Sequence, residues 1–220
     1  MKKITLLICI LFLVTSCEIQ YDGETKIAVT GKLIDENGNP IAKKDIQIDV
    51  LDGPGLILPG SDLISFGKSD QNGNFTLIFP APIEGNRISI SINDIINQFD
   101  EYQSKNIIAK KINFENYKLN LDKITLYRKE SITTLQLIPN KTSTNKQISN
   151  IKIEGKQPNS YIDLNPMQDN TNYFQPNYNV LKNQTIIVKY TIIDYSTNSS
   201  TVQSISIPIA NDAVIYTITY

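Results

Sequence analysis

The sequence predicts an all-β protein built as two tandem β-sandwich domains, and three observations lead there. Apolar residues alternate with polar ones in run after run. Turn-forming clusters of Asn, Asp, Gly and Pro separate the runs, and only one short segment carries helical spacing. Period-two alternation of β-branched and aromatic residues is the mark of a strand with one buried face. Short strands at this density without long helices between them pack as stacked sandwiches.

The chain starts with a different signature. Lys2 and Lys3 precede an apolar run from Ile4 to Val14, and Val14-Thr15-Ser16-Cys17 follows. A basic start, a greasy stretch too short to span a bilayer and a set of small residues make a secretory signal peptide. The last four residues resemble the lipobox of bacterial lipoproteins. That resemblance implies cleavage after residue 16, lipid attachment at Cys17 by a thioether, and acylation, commonly with palmitate. Acyl chains whose methylenes are each worth about 0.8 kcal/mol on burial anchor a protein stably once two or more are present. The expected partner is therefore a membrane, with residues 17–25 as a lipidated tether. The Glu18-to-Glu24 segment loosely resembles surface-export signals, which points to the outer membrane, with surface exposure.

Composition narrows the chemistry. The chain has 21 basic and 22 acidic residues, no basic stripe and no histidine. Loss of Lys2 and Lys3 with the signal leaves 19 basic against 22 acidic residues. Nucleic acid is not an expected partner. Without histidine there is no imidazole base, no Ser-His-Asp triad and no ordinary zinc site. The second cysteine, Cys9, leaves with the signal, so the mature chain has no internal disulfide. No catalytic residues, metal site or cofactor are expected.

The strands follow in order. Ile27, Val29 and Leu33 share one face, as do Ile46, Ile48 and Val50, then Phe75, Leu77 and Phe79, then Ile88, Ile90 and Ile92. Glu36-Asn37-Gly38-Asn39-Pro40 and Gln71-Asn72-Gly73-Asn74 are turn signals between them. In residues 93–102 the spacing of Ile95, Ile96, Phe99 and Tyr102 behind Asn93-Asp94 predicts a short helix. After Arg128-Lys129-Glu130-Ser131 a second series begins. It is marked by Leu135 and Leu137, Ile151 and Ile153, Ile186 to Ile192, Ile205 to Ile209, and Val214 to Tyr220. These runs place one domain at 26–129 and the other at 130–220.

Residues 27–80 resemble the carboxypeptidase regulatory-like domain, a transthyretin-type β-sandwich. The resemblance rests on Val29-Thr30-Gly31-Lys32-Leu33-Ile34-Asp35-Glu36-Asn37-Gly38-Asn39-Pro40-Ile41 and on Lys68-Ser69-Asp70-Gln71-Asn72-Gly73-Asn74-Phe75-Thr76-Leu77. Leu121-Asp122-Lys123-Ile124-Thr125-Leu126 is similar to the family's closing strand. Ser69 stands where the family usually has Thr, and residues 51–63 form an insertion whose Leu56 to Leu58 tip is a candidate contact. The resemblance implies a non-catalytic module. Beyond Ser131 the likeness is general, to immunoglobulin-like sandwiches, without the Cys pair or Trp that would sharpen it.

Three motifs invite a chemical reading. Asp35-x-Asn37-x-Asn39 and Asp70-x-Asn72-x-Asn74 resemble the opening of a calcium loop, but Ile46 and Ala81 stand where a bidentate Glu is required. Local turns account for both. Ser65-x-x-Lys68, Ser91-x-Asn93 and Lys141-Thr142 follow the order of penicillin-binding motifs. Ser65 and Lys68 fall on a strand, where residues three apart face opposite sides. Glu154, Asp163, Asp169 and Asp194 could pair across a cleft only if the fold brought two together. The candidate ligand surface is the segment 165–179, with Tyr173, Phe174 and Tyr178 amid amides and with Tyr161 nearby. Aromatic faces beside amide edges suit sugar rings.

The expected function is a non-catalytic, membrane-anchored lipoprotein serving binding, adhesion or structure at the cell envelope. Its expected partners are another envelope protein or a surface polysaccharide. The alternative is a glycan-binding accessory lipoprotein for nutrient capture.

Overall fold

The computed structural model describes residues 19–51, 60–83, 86–94, 100–166 and 175–220. The expected signal peptide, Cys17, the Leu56 to Leu58 tip, most of the expected helix, Asp169, Tyr173 and Phe174 lie outside the described residues. The described chain is all-β, with two short 3-10 turns at Lys111–Asn113 and Lys129–Ser131.

Seven strands build the first sandwich. They are β1 (Tyr21–Ile34), β2 (Asp45–Leu51), β3 (Ser61–Lys68), β4 (Asn74–Pro82), β5 (Arg87–Ile92), β6 (Lys105–Lys110) and β7 (Lys118–Thr125). One sheet has the order β4-β1-β7, the other β6-β5-β2-β3. The predicted alternation is borne out: Ile46, Ile48 and Val50 are buried on β2, and Phe75, Leu77 and Phe79 on β4. Together with Ile27, Val29, Leu33, Ile88, Ile90 and Ile92 they form one apolar core. Each fully buried side chain of this size contributes roughly 1.5–3 kcal/mol.

The chain beyond residue 131 supplies β8 (Ile132–Asn140), β9 (Lys146–Glu154), β10 (Tyr161–Asp163), β11 (Asn177–Leu181), β12 (Gln184–Asp194), β13 (Ser199–Ile209) and β14 (Val214–Thr219), and all of these except β10 build the second sandwich. The sheets of the second sandwich run β11-β8-β14 and β13-β12-β9 around a second core that includes Leu135, Leu137, Ile186, Val188, Ile207 and Ile218. The two sandwiches repeat one topology. β4-β1-β7 becomes β11-β8-β14, and β6-β5-β2 becomes β13-β12-β9, each strand displaced by seven in chain order. In both, the first strand pairs parallel with the last.

The repeat fails at one strand. In the first sandwich β3 extends its own sheet beside β2, whereas β10, its counterpart, leaves the second sandwich and pairs parallel with β6 of the first. The five-stranded sheet β10-β6-β5-β2-β3 therefore contains a strand contributed from beyond residue 130.

Three sequence expectations change here. The stretch 17–25 is not all tether, because β1 starts at Tyr21, where Tyr21 and Asp22 pair with Pro82 and Ala81. A bulge follows, in which the Asp22 carboxylate accepts hydrogen bonds from the Thr25 hydroxyl and the Glu24 and Thr25 amides. Lys105–Lys110 is a strand that alternation does not reveal. Ile107, Ile108 and Ala109 are all buried, because this strand is covered on both faces. The described ends of the expected helix, Asn93 and Tyr102, are buried, and Asn93 has a left-handed φ of 54°. Its amide donates to the Tyr102 and Gln103 carbonyls, so it ties the two ends of that excursion together. Finally, Tyr178 sits on β11, paired with Leu135, and not on an open loop.

The two Asp-Asn turns adopt the same geometry. Asp35 Oδ1 accepts from the Asn37 and Asn39 amides, and Asp70 Oδ1 from the Asn72 and Asn74 amides. The carboxylates are thus occupied by backbone N–H groups, as the turn reading requires. Among the described residues, no group of three or more acidic, Cys or His side chains converges on a metal position.

Candidate functional site

The most structured surface feature is the junction where the second sandwich grips the first. It is assembled at two places. The first is the connection itself. Arg128 pairs with Glu101 at 2.6 Å and with Glu36 at 4.0 Å, and its guanidinium lies 5.4 Å from the Tyr102 ring centroid. Lys44 approaches the same ring, 4.9 Å from its centroid, while bonding Asp100 at 2.5 Å. Burial pushes the Asp100 carboxyl up. The bonds from Lys44 and from the Tyr102 amide outweigh burial, so the group sits below the usual carboxylate range. Ser131, the first residue past this cluster, donates to Glu36 and accepts from the Lys182 amide.

The second place is the β10 strand and its flanks. Tyr161, Ile162 and Asp163 stand opposite Asn106, Ile107 and Ile108. The Asn106 amide donates to the Ser160 carbonyl at 2.8 Å, and the Leu164 amide to the Ile108 carbonyl at 2.9 Å. Ile162 packs against the first core. Two residues past the strand, Asn165 and Asn113 exchange amide hydrogen bonds, and Asn113 also accepts from the Lys110 amide. Just before it, the Pro158 carbonyl accepts from both Gln103 Nε2 at 2.9 Å and Lys105 Nζ at 3.2 Å.

A cleft of about 300 Å³ opens at this junction, with Lys105, Lys123, Tyr127, Pro158, Asn159 and Ile162 among its walls. Lys105 is only 7% exposed, and burial lowers its pKa because the ammonium loses water. The carbonyl of Pro158 replaces part of that hydration. Gln103 Oε1 is buried beside it without a partner. Sequence reading missed this site. Lys105 lies in an unremarkable Lys-Asn-Ile-Ile run, and nothing in Gln157-Pro158-Asn159-Ser160 announces that it crosses to another domain.

The sequence-predicted aromatic surface is distributed differently. Tyr161 is 60% exposed at the edge of the first sandwich's larger sheet. Tyr178 is half-buried on β11 and packs against the second core, where burial raises its phenol pKa. The described residues therefore place these two tyrosines on different sandwiches. Ser65 and Lys68 both lie on β3, where Lys68 pairs with Asp45 and the Ser65 hydroxyl faces the Ile78 carbonyl. Of the acidic candidates, Glu154 is engaged by Lys189 and Lys152, and Asp194 by the Ser196 hydroxyl and amide. Both carboxyls are held below the usual range by those bonds. Among the described residues, no helix is long and apolar enough to cross a membrane.

No family model matches the chain, and no curated protein matches it. Among solved structures it is similar to the Bacillus anthracis TIE protein, at 10% identity over 89% of this chain and 34% of that one, with a TM-score of 0.33. A second is a mutant of the shaft pilin SpaA from Lactobacillus rhamnosus GG, at 8% identity, covering 89% of this chain and 98% of the pilin, with a TM-score of 0.38. A third is the 3-chlorocatechol 1,2-dioxygenase of Rhodococcus opacus 1CP, at 16% identity over 51% of this chain and 62% of the enzyme, with a TM-score of 0.31. The chain spans about a third of the TIE protein and under two thirds of the dioxygenase.

Proposed function

We propose that this chain is a lipid-anchored, non-catalytic lipoprotein of the bacterial cell envelope, whose two β-sandwiches serve as binding, adhesion or structural modules. The observation that carries the reading is the N-terminal order: Lys2-Lys3, an apolar run, then Val14-Thr15-Ser16-Cys17, with β1 starting at Tyr21. Four residues from Cys17 to Tyr21 reach at most about 14 Å when extended. A lipid on Cys17 would hold the first sandwich against the bilayer. The junction at Pro158 and Arg128 would then make the second sandwich an outward extension of the first.

Mass spectrometry of the native envelope protein tests this directly. A mature N-terminus at residue 17 carrying diacylglycerol, and release of the Cys17→Ala chain from membranes, are the expected results. An unmodified sulfur at Cys17 on a protein that is free in the medium would sink the proposal.

A second reading, glycan capture, rests on Tyr161, whose ring is 60% exposed at the edge of the five-stranded sheet. Saturable binding to a glycan array that is lost in Tyr161→Ala would support it. Equal binding by the variant, or none by either chain, would end it.

A further inference from the structure

We propose that β13 is a self-association edge, on which a second copy of this chain docks by pairing its own β13 antiparallel about a twofold axis at Gln203. This inference does not depend on the lipid anchor. A free sheet edge is a row of unpaired backbone donors and acceptors, and proteins protect such rows with charges, bulges, prolines, short strands or covering segments.

Among the described residues, the other long edges carry that protection. β9 has Lys146, Lys152 and Glu154 and a register break at its pairing with Lys189 and Thr191. β7 has Lys118 and Lys123 and a left-handed residue at Asp122. β4 contains two prolines and lies beside β3. β6, the counterpart of β13 in the first sandwich, is covered by β10.

β13 has none of these devices along most of its length. It is 11 residues long, contains no charged side chain, and pairs with β12 without a register break from Ser199 to Ile209. Every residue from Ser199 to Ser204 is exposed, and Val202 is 72% exposed. β6 shows that this topology tolerates a strand at that position, because there one has been added.

Pro208 fixes which backbone groups point outward. It sits opposite Thr185 within the unbroken ladder, and a residue without an N–H fits there only if that position faces away from β12. Along an antiparallel strand the outward positions recur every second residue, so Ser206, Ser204, Val202 and Ser200 present their N–H and C=O groups to solvent.

A twofold axis at Gln203 then pairs Ser200 with Ser206 and Val202 with Ser204 of the second copy, and the reverse. Every outward N–H in this stretch gains a partner, and Pro208 falls beyond the pairing. No like charges meet, since none are present; opposed like charges would destabilise such a pair. The result is a closed, isologous dimer with a continuous sheet β9-β12-β13:β13-β12-β9, a symmetry that does not propagate into fibres.

Cysteine cross-linking of the full chain, with Cys9 and Cys17 replaced by Ser throughout, tests the register. Across the axis the two Gln203 Cα atoms form a non-hydrogen-bonded pair about 4.5 Å apart, within the disulfide range of about 4.4–6.8 Å. Mild oxidation of Gln203→Cys is expected to give a disulfide-linked dimer. The unsubstituted chain and Lys152→Cys, on the protected β9 edge, should give none beyond background. Adding Val202→Lys and Ser206→Lys should abolish the Gln203→Cys dimer. In sedimentation of the detergent-solubilised chain the same two lysines should convert dimer to monomer with an unchanged melting temperature.

Failure of Gln203→Cys to cross-link, equal cross-linking by Lys152→Cys, or survival of the dimer with both lysines would overturn the proposal. So would a ladder of higher species or capture of a different protein.

Discussion

Lys105 Nζ donates to the Pro158 carbonyl at 3.2 Å, joining a buried strand of the first sandwich to the chain of the second. The residue is only 7% exposed, and its ammonium meets a neutral carbonyl oxygen there. Burying such a charge costs several kcal/mol unless it is paired, and lowering its pKa is the physical response.

The pH dependence of that lysine has a definite sign. Its folded pKa lies below the unfolded value of about 10.4, so the folded state binds fewer protons over the intervening range. The burial penalty is fully present at lower pH, and the molecule gains stability as pH rises through the folded pKa. Lys105→Met, which keeps the stem, removes the penalty. Chemical denaturation at neutral pH should show the variant at least as stable as the parent, by up to about 1–4 kcal/mol. The gap should narrow as pH approaches 10.

Strand β10 couples the two sandwiches mechanically. Ile162 reaches the first core while its backbone pairs with β6. Ile162→Asp would place a carboxylate against that core and detach the strand, since an unpaired charge does not remain in apolar surroundings. Calorimetry should then resolve two unfolding transitions in place of coupled melting. Limited proteolysis should cut first within residues 155–166.

The two turn glycines should respond unequally. Gly38 and Gly73 both have left-handed φ, 86° and 79°. A methyl at Gly38 meets open space, whereas at Gly73 it would stand 2.3 Å from the Leu33 carbonyl oxygen. Gly38→Ala is expected to cost about 1–2 kcal/mol from backbone strain alone. Gly73→Ala must also displace the backbone of β1, so its melting temperature should fall clearly further.

Acid unfolding should draw on the same loops. Hydrogen bonds from the Asn39 side chain and the Asn39 and Asn37 amides hold the Asp35 carboxyl below its ordinary value, and Asp70 is held likewise by the Asn74 and Asn72 amides. A depressed carboxyl stabilises the fold above its unfolded pKa of about 3.9, and that contribution is lost as pH falls through the folded value. Asp35→Ala together with Asp70→Ala should lower stability at pH 7 and flatten its decline between about pH 4 and pH 2. Equal acid slopes for the two chains would contradict the assignment.

The sequence by itself determined which faces are buried. Ile46, Ile48 and Val50 alternate with Gln47 and Asp49, and this pattern admits only one face towards a core. Asp35 and Asp70, each two residues ahead of an Asn, likewise carry their turns with them, because the hydrogen bonds they need are local. Tertiary structure alone decided which edge each strand joins. Strand pairing is made by backbone groups that every residue has, so Tyr161-Ile162-Asp163 carries no mark that sends it to β6 in place of β9. The burial of Lys105 and the separation of Tyr161 from Tyr178 both follow from that one choice of partner. Side-chain periodicity records the face a residue shows to the core, whereas the neighbour across a ladder is fixed only when the whole chain closes.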